Sequence, residues 1–222
     1  MNGNIKIIPL DFVNAFLLEG RGGYILIDTG LPDQWEKLEK ELLAAGCLPD
    51  KLKLTVIAHG DRDHTGNAAR LREKYKVRIA MHPGDVPQVE NGVLLKRKVK
   101  PLIYRLLFAL MMLKRKLQKN RMEVPKFKPD ILLGNGQNLE EYGSAAKVIH
   151  IPGHTPGSIA ILTPDNCLIA GDMFVNRKKP GSAQIIENQA QLNDSLEKLK
   201  SLNIATVYPG HGKPFSMADY HG

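Results

Sequence analysis

Leu52-Lys53-Leu54-Thr55-Val56-Ile57-Ala58 runs directly into His59-Gly60-Asp61-Arg62-Asp63-His64. The first stretch is apolar and rich in β-formers, which predicts a buried strand. The second sets four metal-ligating side chain types within six residues at a strand-to-helix turn. Carboxylates and imidazoles gathered at the end of a buried strand call for a compensating cation, because unpaired charges there would be costly. A solvated turn would account for this hexapeptide if it stood alone. It does not: His154 in Pro152-Gly153-His154-Thr155-Pro156-Gly157-Ser158, Asp172 in Ala170-Gly171-Asp172 and His211 in Pro209-Gly210-His211-Gly212 each follow a predicted strand. Glycine beside each supplies the tight turns that let side chains from separate strands converge on one rim.

Outward from this stretch the pattern alternates. Ile5 to Pro9, Phe12 to Leu18 and Tyr24 to Ile27 read as strands in meander order, with turns at Glu19-Gly20 and Gly22-Gly23. Pro32 opens an amphipathic helix on which Trp35, Leu38, Leu42 and Leu43 recur, and Gly46 closes it. A second helix is predicted from His64 or Gly66 to Tyr75, then a strand at Val77 to Met81. Further strands follow at Ile131 to Leu133, Lys147 to Ile151, Ile159 to Leu162 and Leu168 to Ala170. A helix near Gln189 to Leu202 and a last strand, Thr206 to Tyr208, end the series. Strands, helix and a strand ending in His or Asp occur twice, so two sheet halves packed face to face with helices outside are expected, an α/β architecture. No linker divides the chain, and residues 1–222 read as one domain.

With 222 residues, 43% of them apolar and 24% charged, the chain can bury a substantial core, which excludes disorder and a disulfide scaffold. Met1 to Leu10 lacks a basic region followed by an apolar one, so a cytoplasmic protein is expected. Cys47 and Cys167 match no C-x-x-C spacing and read as buried thiols. His82, His150 and His221 read as an ordinary turn histidine, a structural histidine and a tail residue.

The net charge of +8 is unevenly placed. Residues 94–128 hold twelve Lys or Arg against one acid, Glu123, so this insert carries +11 and the rest of the chain −3. Within it Leu95, Val99, Leu102, Ile103, Leu106, Leu107, Leu110, Leu113 and Leu117 recur at helical steps, a basic amphipathic helix too short in its apolar part to span a bilayer. A wall over the cleft or a homodimer contact, a membrane-surface helix, and a polyanion arm all fit such a segment. Its wealth of Leu and Met argues against nucleic acid as the partner.

The ordered set of motifs resembles that of the metallo-β-lactamase superfamily, H-x-H-x-D-H followed by a His, a bridging Asp and a final His. Ile27-Asp28-Thr29-Gly30 is similar to the family's early D-T-G turn. The resemblance implies an αββα sandwich and two divalent metal ions. His59, Asp61 and His154 would hold the first, Asp63, His64 and His211 the second, and Asp172 would bridge them, with Asp28 supporting the metal loops from behind. Asp61 departs from the pattern, standing where the commonest members have His. A third carboxylate neutralises the pair more fully, and oxygen ligands favour harder ions, so Zn, Fe and Mn all stay open. The implied chemistry is hydrolysis by a metal-bridging hydroxide, with Asp63 orienting the nucleophile as the catalytic residue. Glyoxalase II and lactonases are similar in size and motif order, which points to a small ester, lactone or thioester as substrate; a phosphodiesterase or nuclease-type hydrolase and a di-iron redox protein are the alternatives.

Overall fold

The computed structural model describes residues 4–92, 98–99 and 124–222. Most of the basic insert, and with it most of the predicted helix, lies outside the described residues; Lys98–Val99, inside that helical pattern, instead pair as a strand with Ile185–Ile186. In chain order the elements are β1 (Ile5–Leu10), β2 (Val13–Gly20), β3 (Gly23–Ile27), α1 (Trp35–Ala44), β4 (Leu52–Ile57), α2 (Arg62–Thr65), α3 (Ala68–Tyr75), β5 (Ile79–Met81), α4 (Val86–Asn91), β6 (Lys98–Val99), β7 (Ile131–Leu132), β8 (Asn138–Leu139), β9 (Ser144–His150), β10 (Ile159–Leu162), β11 (Cys167–Ile169), β12 (Phe174–Asn176), β13 (Pro180–Ser182), β14 (Ile185–Ile186), α5 (Gln189–Lys200), β15 (Thr206–Tyr208), β16 (His211–Gly212) and β17 (Phe215–Ser216).

Two six-stranded sheets carry the molecule, in the orders β1-β2-β3-β4-β5-β7 and β17-β15-β11-β10-β9-β8. The first is antiparallel through β1, β2 and β3 and parallel from β3 to β7. Ile25, Ile27, Leu54 and Val56 of the first sheet pack with Val148, Ile159, Ile161 and Ile169 of the second in one buried layer. Leu26 and Leu17 point the other way, onto Trp35, Leu38 and Leu42 of α1 and Leu71 of α3. Across the second sheet Ala160, Leu168 and Val207 meet Leu192 and Leu199 of α5. Each central strand is therefore covered on both faces, which is why Leu52 to Ala58 reads as an apolar run instead of an alternation. The order helix, sheet, sheet, helix is the αββα sandwich that the sequence predicts.

Several details differ from the sequence reading. The second helix is broken: α2 ends at Thr65 and α3 begins at Ala68, because Asn67 between them donates its backbone N–H to Thr29 Oγ1 and its side-chain amide to the carbonyls of Thr29 and Leu31. Bound outward in this way, Asn67 locks the Asp28–Leu31 turn to the helix pair. Thr206 to Tyr208 is not the last strand, since β16 and β17 follow, and both are too short for periodicity to register. Cys47 is buried, and burial pushes its thiol up to about 12, whereas Cys167 is only partly covered. Among the described residues no helix is long and apolar enough to cross a membrane.

On α1 the predicted apolar stripe narrows. Leu42 is fully buried, while Leu43 is 49% exposed. Leu42→Ala is expected to lower unfolding free energy by about 2–5 kcal/mol, and Leu43→Ala to change it by less than about 0.5 kcal/mol. Urea denaturation of the two variants checks this; equal losses would contradict the packing of α1.

Candidate metal centre

The chain leaves the first sheet at the C-terminal end of β4, bends through His59, is extended at Asp61 and then turns into α2, which carries Asp63 and His64. The change of backbone geometry aims the two pairs in different directions. At the same rim the second sheet delivers His154 after β9, Asp172 after β11 and His211 at the start of β16. The rims are joined directly: Ile159 N donates to Ala58 O at 2.9 Å, and Asn14 of β2 donates its backbone N–H to Gly210 O and its side-chain amide to the carbonyls of Pro209 and Gly212.

All seven residues named from the sequence come together here. They fall into two sets, His59, Asp61, His154 and Asp172, and Asp63, His64 and His211, with donor atoms inside each set within 4.8 Å of one another. Asp172 faces both sets. One of its oxygens lies 3.3 Å from His64 Nε2, and the other lies 3.2 Å from His211, 3.7 Å from His154 and 3.9 Å from His59. Asp61 Oδ2 is 3.1 Å from His154 Nε2 and 3.4 Å from His59 Nε2, and Asp63 Oδ2 is 3.5 Å from His211 Nε2.

The histidines are held from behind. Asp28, fully buried, accepts His64 Nδ1–H at 2.8 Å with one oxygen and Ala58 N–H at 2.8 Å with the other. His154 Nδ1 donates to Ile185 O and His211 Nδ1 to Phe12 O, both at 2.6 Å. With Nδ1 committed as a donor, Nε2 of each ring presents its lone pair to the centre. His59 Nε2, His64 Nε2 and Asp172 Oδ1 are buried there without a hydrogen-bond partner. Buried ring nitrogens and a carboxylate oxygen left without partners, all facing inward, fit divalent cations once the imidazoles give up their protons, and the ligand set suits Zn, Fe or Mn.

Without metal the cluster holds protons instead. Burial alone would lower the pKa of His64, but the carboxylates of Asp28 and Asp172 raise it well above the ordinary imidazole value. Burial is likewise outweighed at His211, where the charges of Asp172 and Asp63 lift it to about 10. Burial would raise Asp172, yet His211 and His64 hold it well below the ordinary carboxylate range, and His211 and His64 lower Asp63 in the same way.

The other histidines form no part of either set. His82 and His150 stack with centroids 3.9 Å apart, His82 Nδ1 accepting from Gly84 N and His150 Nε2 donating to Pro156 O. Sequence reading missed three residues that shape the centre: Asn14, Asp85 and Gln88. Asp85 accepts from Gly60 N, Thr155 Oγ1 and Gly157 N, and Gln88 donates to Asp61. Each belongs to a common residue type in an unremarkable context, and only its hydrogen-bond partners mark it.

The fold and this cluster define a class: a metallo-protein of αββα architecture with a two-part His/Asp centre on the sheet rim. The profile of the metallo-beta-lactamase superfamily matches residues 8–211, and the chain belongs to that superfamily. Probable metallo-hydrolase MJ0888 of Methanocaldococcus jannaschii is 27% identical over 205 residues, covering 90% of this chain and 87% of that protein. Hydroxyacylglutathione hydrolase of Pelagibacter ubique is 28% identical, covering 72% of this chain and 52% of that protein. The chain spans 57% of the length of Beta-lactamase-like protein 2 homolog of Caenorhabditis elegans, to which it is 24% identical over 91% of its own length. Among solved structures, TTHA1623 in a di-iron-bound form aligns with a TM-score of 0.67 at 26% identity, over 95% of this chain and 92% of that one.

Because His64 and His211 carry protons in the metal-free protein, metal uptake at neutral pH is expected to release protons, in a number between one and two per chain for the second set. Calorimetry in buffers of different ionisation enthalpy measures the number, and zero would contradict the charge state described. The same shifts set the stability of the metal-free fold. The raised His211 contributes fully below about pH 6.5 and loses that contribution as pH rises through about 10. The lowered Asp172 contributes above the ordinary 3.8 and is lost as pH falls through its folded value. The melting temperature of metal-free protein is therefore expected to peak between about pH 4 and 6.5, and a maximum above pH 8 would contradict it.

Proposed function

We propose that the chain is a hydrolase that uses two metal ions on a small ester, lactone or thioester. The observation that carries this is the convergence of buried, unpartnered Nε2 and carboxylate atoms in two adjoining sets with Asp172 facing both. His59, Asp61 and His154 would hold one ion, Asp63, His64 and His211 the other, and Asp172 would bridge them. Such a pair, when bound, supplies a hydroxide at neutral pH and polarises the scissile carbonyl.

The chain's own residues do the rest. Asp28 and the carbonyls of Ile185 and Phe12 keep three imidazoles in the tautomer that points Nε2 inward. Asp63, partly exposed and beside His211, is placed to orient the attacking water and to carry its proton toward the leaving group. Phe12, 45% exposed, stacks near His211 at the mouth and offers an apolar ring to the acyl side of a substrate. The relative named hydroxyacylglutathione hydrolase supports a thioester within this class. The di-iron form of TTHA1623, together with the oxygen ligand at position 61, supports iron or manganese over zinc.

Protein purified from medium with equal Fe, Mn and Zn is expected to hold about two ions per chain and to hydrolyse at least one member of a panel of chromogenic esters, lactones, thioesters and phosphodiesters. Asp172→Ala is expected to lose metal and nearly all turnover, because removal of the shared carboxylate leaves two cations repelling each other. Turnover confined to phosphodiesters would replace the substrate class, and one ion per chain would overturn the dinuclear reading. Asp61→His is expected to shift the metal content toward zinc; an unchanged distribution would show that this position does not select the metal.

A further inference from the structure

The structure assigns to Gln88 a role beyond filling space: we propose that it is a positioning residue that makes Asp61 a one-oxygen ligand of the first metal, held in place by Asp85, which ties its helix to both loops of that site. This rests on the reading of the seven residues as a metal centre.

Asp61 stands where the H-x-H-x-D-H motif that this chain resembles has His, and its carboxylate is divided. Oδ2 faces His154 and His59 at 3.1 and 3.4 Å, while Oδ1 accepts from Gln88 Nε2 at 3.0 Å. A carboxylate free to rotate can offer a metal one oxygen or both. Committing Oδ1 to an amide leaves Oδ2 as the ligand atom and takes up part of the negative charge of the oxygen that turns away. The other end of the amide argues in the same direction: Gln88 Oε1 is buried with no hydrogen-bond partner. A side chain present only to fill that space would be better as Leu or Met, since an unsatisfied buried acceptor is destabilising. Its bond to Asp61 is what the amide retains.

The element that presents Gln88 is fixed by two residues. Val89 on α4 packs into the apolar cluster with Ile57, Ala68, Ile79 and Met81, which sets the rotation of the helix. Asp85, in the turn that leads into α4, is buried and spends both oxygens: one accepts Gly60 N at 2.8 Å and Thr155 Oγ1 at 2.7 Å, the other Gly157 N at 2.7 Å. Gly60 lies between His59 and Asp61, and Thr155 and Gly157 follow His154, so one carboxylate joins the two loops that supply the first set. The approach is close at both glycines, and at position 157, where the backbone nitrogen of Asp85 would also stand 2.6 Å from a Cβ, it leaves no room for a side chain. A Cβ at position 60 would stand 2.6 Å from Gln88 Oε1, and one at position 157 would stand 2.6 Å from Asp85 Cγ. The second set takes no bond from this segment and is supported through Asp28 and the Phe12 carbonyl. A brace that serves one set alone makes a selective prediction.

The test uses the full chain, stripped of metal and titrated with Co(II) and with Zn(II) against a chromogenic chelator, the Co(II) absorption bands reporting each site as it fills. Wild type is expected to fill in two steps. In Gln88→Leu, and in Gln88→Met run beside it to keep side-chain length, the first site is expected to weaken by about tenfold to a hundredfold with altered Co(II) bands. The second site is expected to stay as in wild type, and the melting temperature of the metal-free protein to be no lower than that of wild type. In an Asp61→Asn background the same Gln88 changes are expected to have little further effect, since their partner oxygen has lost its charge. Equal weakening of both sites, no weakening of either, or additive effects of Gln88→Leu and Asp61→Asn would overturn the proposal while leaving the metal centre standing. Wild type that fails to fill in two steps would overturn the dinuclear reading itself, and this proposal with it.

Discussion

The centre depends on one buried carboxylate. Asp28 sits at the end of β3 with a left-handed backbone, φ 63°, a conformation that Asp tolerates better than most residues. From there it reaches across to the end of β4, accepting the N–H of Ala58 with one oxygen and the imidazole of His64 with the other. A single side chain thus sets the exit of the strand that precedes the ligand hexapeptide and the tautomer of the histidine at its far end. The adjoining turn repeats the link, Thr29 N and Oγ1 both donating to His64 O and Gly66 N to Gly30 O. Two neighbouring strand ends of one sheet become a rigid platform, and the second sheet needs only to present three side chains to it.

That presentation is a matter of registry between sheets. The Ile159–Ala58 hydrogen bond and the Asn14 amide hold the 154 and 211 loops to the first sheet, so His154, Asp172 and His211 arrive within a few Å of the hexapeptide. The apolar layer between the sheets does the bulk of the stabilising, and these few polar bonds fix how far one rim slides past the other. The cluster itself is electrostatically costly in the absence of cations. Three partly buried carboxylates and four buried imidazoles can coexist only by sharing protons, as the opposed shifts of His211 and Asp172 show, or by binding metal.

The fold was legible in the chain because both faces of its central strands are covered. Continuous apolar runs such as Leu52 to Ala58 separate cleanly from the amphipathic stretches of α1 and α5. Of the elements that escaped notice, α4 is six residues long and β6, β8, β12, β13, β14, β16 and β17 are two or three, too short for a period to be counted. Leu43 was misplaced on the α1 stripe for a different reason: it stands about 100° round the helix from Leu42, at the margin of a stripe of that width, and only the position of the sheet beneath decides whether that margin is covered. The break at Asn67 and the roles of Asn14, Asp85 and Gln88 share a deeper cause. Each is defined by partners between 25 and 198 residues away, and no local pattern encodes such a pairing.

By itself the sequence determined the layered α/β architecture, the seven residues of the centre and their order, because hydrophobic period and ligand chemistry are written locally. The division of those seven into two sets with Asp172 between them was already implied by the resemblance; tertiary structure alone decided which groups hold them from behind, and that Asp61 turns one oxygen inward and gives the other to Gln88. The physical reason is distance. A side chain's chemical type is carried by one residue, but a ligand's direction depends on the strand ends, hydrogen bonds and packed glycines that separate parts of the chain bring to it.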